Sequence, residues 1–123
     1  MAKILIIEDD STFSQLLEGF LTKHGHQPEV VNDVKKSLKL LDQKSFDLLL
    51  IDYRLPDGKG TEIIEFLQNL PLWKKVPVLL LSGEMNIGAL AQVAGITSFI
   101  PKPPNLPDLV RKLGQITQSN QTE

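Results

Sequence analysis

Residues 48–56 read LLLIDYRLP: four bulky apolar side chains in succession, an aspartate, then tyrosine, arginine, leucine and proline. An apolar run of this length without polar alternation is a strand buried on both faces, which calls for a parallel sheet covered by helices on each side. Asp52 follows the run directly and precedes Tyr53-Arg54-Leu55-Pro56 rather than a helix, so helix capping does not explain it. A carboxylate placed where a buried strand ends is therefore the first candidate for chemistry.

Working outward, the same signature recurs in ILII at 4–7, VLLL at 78–81 and, more weakly, SFI at 98–100, with PEVV at 28–31 a fifth strand-like run. Helical patterns lie between them. Phe13, Leu16, Leu17, Phe20 and Leu21 form one apolar stripe, with Ser11 placed to cap it and Gly25 to close it. Val34, Leu38 and Leu41 mark a second helix capped by Asp33. Ile63, Ile64, Phe66, Leu67 and Leu70 mark a third, ended by Pro71. A short helix is expected between Met85 and Gly95, and a last one over Leu106, Leu109, Val110, Leu113 and Ile116. Strand and helix thus alternate five times, the pattern of an α/β domain.

The 123 residues suit one domain, expected over 1–118, followed by a polar tail at 119–123. A net charge of -2 gives no electrostatic case for nucleic acid or an anionic membrane. The absence of cysteine excludes disulfides, thiol catalysis and thiolate-bound metal. No apolar run reaches the ~20 residues of a membrane span, and MAKILII, with one lysine and an acidic end, does not read as a signal peptide, so a cytoplasmic location is expected.

In open parallel sheets, ligand sites lie beyond the carboxyl ends of the strands. Those ends here carry Glu8-Asp9-Asp10, Asp52, Ser82 and Lys102, whereas Val31-Asn32 offers nothing comparable. Each residue alone has an ordinary role as a cap, turn former or solvated loop group. Together they are chemically coherent. Adjacent carboxylates suit a hard cation such as Mg²⁺, which would relieve the repulsion between Glu8, Asp9 and Asp52. A lysine and a hydroxyl beside the metal complete a cradle for a phosphoryl group, and aspartate is a known type of phosphoryl acceptor.

The acidic pair in IIEDDS, the aspartate in LLLIDYRLPDGKG, the hydroxyl in VLLLSGE, the aromatic in SFIPK and the lysine in PKPP, in this order, resemble a response-regulator receiver domain of two-component signalling, over Lys3 to about Gly114. That resemblance implies a flavodoxin-like doubly wound five-stranded parallel sheet of order 2-1-3-4-5 with five helices. It makes Asp52 the phospho-acceptor, Asp9 the direct Mg²⁺ ligand, Glu8 a ligand acting mainly through water, and the Arg54 backbone carbonyl the third protein ligand. Asp10 falls one past the pair and is not expected to bind metal. Ser82 matches the switch hydroxyl, Lys102 its charged partner before a cis Lys102–Pro103 bond, and Phe99 the aromatic switch. Arg54 and Glu84 occupy the two positions that set phosphoryl lifetime, and their opposite charges suggest a pair shielding the acyl phosphate. Two departures are visible: Pro101 within the last strand, which suits a sheet edge, and PPNLPDL, where Asn105 or Pro107 sets the start of the last helix.

The expected protein is a stand-alone phospho-accepting switch, not an enzyme apart from its own phosphorylation and dephosphorylation. A histidine kinase or phosphotransfer protein would supply the phosphoryl group, and the face of the fourth helix, fifth strand and fifth helix would meet an unidentified protein partner. A monomer or a phosphorylation-dependent dimer is expected. The rivals are a docking module that signals without phosphate, and a Mg²⁺-dependent phosphatase using Asp52 as nucleophile. The phosphatase lacks the usual second acid, because Arg54 stands in its place. GKGT at 58–61 lacks the upstream glycine of a phosphate loop.

Overall fold

The computed structural model describes residues 2–70, 76–83, 99–102, 107–109 and 111–112. Its elements run β1 (Lys3–Ile7), α1 (Ser11–Lys23), β2 (Gln27–Val31), α2 (Val34–Gln43), β3 (Leu48–Asp52), β4 (Arg54–Leu55), β5 (Gly58–Lys59), α3 (Gly60–Gln68), β6 (Val78–Ser82) and β7 (Phe99–Pro101). Residues 107–109 and 111–112 are also helical. The helix expected at 85–95, the helix-ending Pro71, the residues Glu84, Pro103, Asn105, Leu106, Val110, Leu113 and Ile116, and the tail at 119–123 lie outside the described residues.

Five strands pair in parallel in the order β2-β1-β3-β6-β7, which is 2-1-3-4-5 when the strands of this sheet alone are counted. Side chains alternate across a strand, and here both sets are buried. Leu5, Ile7, Leu49, Ile51 and Leu80 face a cluster with Val34, Leu41, Ile63, Ile64 and Leu67 of α2 and α3. Ile4, Ile6, Leu48, Leu50, Leu79 and Leu81 face the opposite cluster with Leu17 and Leu21 of α1 and with Leu109. The unbroken apolar runs are thus explained by helices on both faces, and truncating any of these leucines to alanine is expected to cost about 2–5 kcal/mol.

Helix α1 corrects two details of the expectation. Asp10, not Ser11, caps it: Asp10 is extended and its carboxylate accepts from the Phe13 N–H at 3.1 Å. The chain turns sharply after β1 because the Asp10 N–H also donates to the Glu8 carboxylate, which starts the helix at Ser11. Its buried arc is Ser14, Leu17 and Leu21, so Leu16 turns to the side and is 53% exposed. Gly25 does close the helix, with the positive φ of 87° that favours glycine. Asp33 caps α2 as expected, accepting from Lys36 N–H at 2.7 Å. Pro101 pairs with Ser82 at the open edge of the sheet, where its missing N–H is tolerated.

A small antiparallel hairpin, β4–β5, was not anticipated. It pairs Arg54 with Lys59 and Leu55 with Gly58 directly after Asp52. The Gly60 N–H closes onto the Tyr53 carbonyl at 2.7 Å. A Cβ at Gly60 would collide with the Asp52 carbonyl oxygen and the Ile51 side chain, so glycine alone fits there.

Candidate metal and phosphoryl site

Register brings the functional groups to one end of the sheet. Ile7 pairs with Ile51, Asp52 with Leu81, and Ser82 with Pro101, so Glu8, Asp52, Ser82 and Lys102 emerge side by side. The Glu8 N–H bonds to the Val31 carbonyl and the Lys102 N–H to the Ser82 carbonyl at 2.7 Å, fixing both loop entries to the strands.

Glu8, Asp9 and Asp52 each present a carboxylate oxygen within 4.8 Å of the others. Glu8, Asp52 and Ser82 are buried, whereas Asp9 is exposed. The Lys102 ammonium sits between two of these acids, 2.5 Å from Glu8 Oε1 and 3.3 Å from Asp52 Oδ2. The Phe13 ring covers the ammonium at 4.8 Å from its centroid, a cation–π contact that further fixes the lysine.

Three carboxylates against one ammonium leave the cluster with a formal charge of -2. The electrostatic consequence appears at Glu8, whose carboxyl is pushed from 4.5 up to about 7. Burial is the main cause and the neighbouring Asp52 adds to it, while the Lys102 and Asp10 hydrogen bonds pull the other way. Lys102 ends above the ordinary lysine value: burial lowers it, but the bond to Glu8 and the charge of Asp52 outweigh that. The two trends compete, since a protonated Glu8 would give Lys102 less support. The excess of acids decides in favour of a raised Glu8, because one ammonium cannot neutralise three carboxylates. A bound Mg²⁺ would bring the cluster to neutrality, and an all-oxygen donor set suits that ion.

The structure therefore brings together Glu8, Asp9, Asp52 and Lys102, with Ser82 at the adjoining strand end. Asp10 serves as the α1 cap. Phe99 is half-buried and packs against the core cluster on the α2–α3 face. Its carbonyl accepts from Lys112 Nζ at 2.8 Å, and that ammonium also lies 5.3 Å from the ring centroid. The Arg54 side chain is exposed at the start of the hairpin; Glu84, its expected partner, lies outside the described residues.

Sequence reasoning missed Phe13, which reads as one more member of an apolar stripe, and Asp57. The Asp57 carboxylate accepts from the N–H groups of Val34 and Lys35 at 2.7 and 3.0 Å, and these bonds hold it below the ordinary aspartate value. A groove of about 440 Å³ lined by Lys3, Glu29, Lys44 and Phe46 lies at the amino ends of β1 and β2, away from the acids. Among the described residues, no helix is long and apolar enough to cross a membrane.

Residues 4–114 match the family model of the response regulator receiver domain. The chain is 32% identical over 104 residues to the response regulator protein PilR of Pseudomonas aeruginosa, covering 85% of this chain and 23% of PilR. It is 27% identical over 113 residues to the phosphate regulon transcriptional regulatory protein PhoB of Escherichia coli, covering 90% of this chain and 49% of PhoB. It thus spans half or less of the length of these curated relatives. A CheY-like response regulator receiver domain protein from Methanospirillum hungatei superposes with a TM-score of 0.87 at 25% identity, covering 100% of this chain and 99% of that one. Sheet order, acid cluster and family match agree, and the chain belongs to the response regulator receiver domain family of two-component signalling.

Proposed function

We propose that Asp52 accepts a phosphoryl group from a phosphohistidine donor, either a histidine kinase or a phosphotransfer protein, with Mg²⁺ held by Glu8, Asp9 and Asp52. The observation that carries this reading is the convergence of three carboxylate oxygens within 4.8 Å of one another, with the Lys102 ammonium 3.3 Å from Asp52. Such a set answers the two demands of phosphoryl transfer, positioning and charge neutralisation.

The chemistry follows from the groups present. An Asp52 oxygen forms the new P–O bond as the P–N bond to the donor imidazole breaks, the electron pair leaving with the nitrogen. Mg²⁺, when bound, neutralises the charge spread over the phosphoryl oxygens. Lys102 is already beside Asp52 and offers those oxygens a charge-assisted donor. Ser82, buried at the end of β6, offers a hydroxyl on the neighbouring strand. The modification adds about -1.5 to -2 charge, and Ser82 and Lys102 following it would repack Phe99 and alter the β7 face for a protein partner. Arg54 and Glu84 would tune the lifetime of the acyl phosphate. The domain works in the cytoplasm and turns over no substrate beyond its own phosphorylation and dephosphorylation.

Intact mass after incubation with acetyl phosphate tests the reading. One added phosphoryl group is expected in wild type with Mg²⁺, and none with EDTA or in Asp52→Asn. Metal binding without any addition would instead favour a docking module that signals without phosphate.

A further inference from the structure

The hairpin β4–β5 is too small to hold itself in place, since each of its strands has two residues, and even a full two-stranded hairpin is marginal in water. Its base is closed by the Gly60 N–H on the Tyr53 carbonyl and by Glu62 accepting from the Lys59 N–H, and Leu55, in the pair next to the tip, packs in the α2–α3 core cluster. Its tip is Pro56-Asp57, and both residues are exposed. The Asp57 carboxylate nonetheless reaches across 23 residues of sequence to the first two N–H groups of α2, Val34 at 2.7 Å and Lys35 at 3.0 Å. Those groups have no partner within the helix, and the positive end of its dipole favours a carboxylate there. The next N–H, Lys36, is taken by the local cap Asp33. Two carboxylates therefore share the start of α2, one from its own cap and one from the hairpin.

We propose that Asp57 is a positioning residue for the cation site: by tying the hairpin tip to the start of α2, it steadies the Tyr53–Arg54 segment that directly follows the Asp52 carboxylate. The inference rests on the reading of Asp52, Glu8 and Asp9 as a Mg²⁺ site. With the tip untied, the hairpin frays, and Mg²⁺ must order it on binding. Because coupling between sites is reciprocal, Mg²⁺ binding also steadies the first turn of α2, an element that supplies no ligand.

Calorimetric titration of Mg²⁺ into wild type, Asp57→Ala, Asp57→Asn and Asp33→Ala tests this, beside hydrogen exchange of the Val34 and Lys35 amides with and without Mg²⁺. Asp57→Ala is expected to bind Mg²⁺ about tenfold more weakly, the low end for residues that support metal ligands. Asp57→Asn keeps one acceptor oxygen and falls between. Asp33→Ala weakens the same helix without touching the hairpin and binds Mg²⁺ as wild type does. Mg²⁺ slows amide exchange at Val34 and Lys35 in wild type and not in Asp57→Ala. Equal affinity in wild type and Asp57→Ala overturns the positioning role while leaving the metal site intact. An equal loss in Asp33→Ala also overturns it, because the effect would then be helix stability alone. Failure of wild type itself to bind Mg²⁺ overturns both this inference and the phospho-acceptor reading.

Discussion

Replacing Glu8 by glutamine removes one buried charge while keeping its shape, and the structure gives the size and pH window of the effect. The Glu8 side chain is fully buried, and its carboxyl rises from 4.5 in the unfolded chain to about 7 in the fold. The folded form therefore holds this proton more tightly, so metal-free stability falls as pH rises from about 4.5 and the loss is complete above about 7. At ~1.36 kcal/mol per pH unit the full penalty is about 3 kcal/mol. Glutamine does not titrate and escapes it. The hydrogen bond from Lys102 adds no separate pH-dependent contribution, because its preference for the ionised carboxylate is already among the causes that set the Glu8 value at about 7. The clean observable is thus the difference between Glu8→Gln and wild type, measured by urea unfolding in EDTA from pH 5 to pH 8. That difference should move in favour of the variant by up to about 3 kcal/mol across the range, and other titrating groups cancel from it. A difference flat to within about 1 kcal/mol would mean that Lys102 neutralises Glu8 fully, and the account of an over-acidic site would be wrong.

The same proton competes with metal: Mg²⁺ affinity should rise as pH climbs towards 7 and level off above it, with uptake of Mg²⁺ releasing protons on calorimetry in buffers of different ionisation heat, whereas a pH-independent affinity would remove Glu8 from the site. Gly60→Ala should cost about 1–3 kcal/mol in urea unfolding and slow phosphorylation, because its Cβ meets the Asp52 carbonyl; wild-type stability would show that the hairpin can shift freely. His26 accepts the Ala2 N–H at Nδ1, and burial, with further help from His24, lowers its proton affinity. Its contribution is present above pH 6.5 and lost on acidification, so His26→Gln should flatten the drop in melting temperature below that pH; an unchanged pH profile would refute the link.

Period and position made most of the fold legible. Runs such as ILII and LLLI carry no alternation because both faces of the sheet are covered, and this one fact implied the parallel sheet, its helices and the edge where chemistry gathers. The acids and Lys102 were legible because strand ends collect at that edge. What remained hidden depends on rotation and on distant partners. Leu16 lies within an apolar stripe yet faces solvent, since a stripe wider than the buried arc does not say which flank is covered. Ser11 and Asp10 are both good caps, and the choice fell to Asp10 through a bond between its own N–H and Glu8. Asp57 reads as a turn residue in LPDGKG, and nothing local reveals that its carboxylate caps a helix begun 23 residues earlier. Phe13 looks like core, and only the fold shows its ring over Lys102.

The central claim is that Asp52, among three clustered acids, carries the phosphoryl group, and borohydride trapping tests it most directly. The reagent reduces an acyl phosphate to an alcohol, which converts the modified aspartate to homoserine and marks its position in a peptide map. After acetyl phosphate and Mg²⁺, homoserine is expected at position 52 and nowhere else. Reduction at Asp9 or Glu8, or none at all in protein that has gained phosphate, would contradict the assignment.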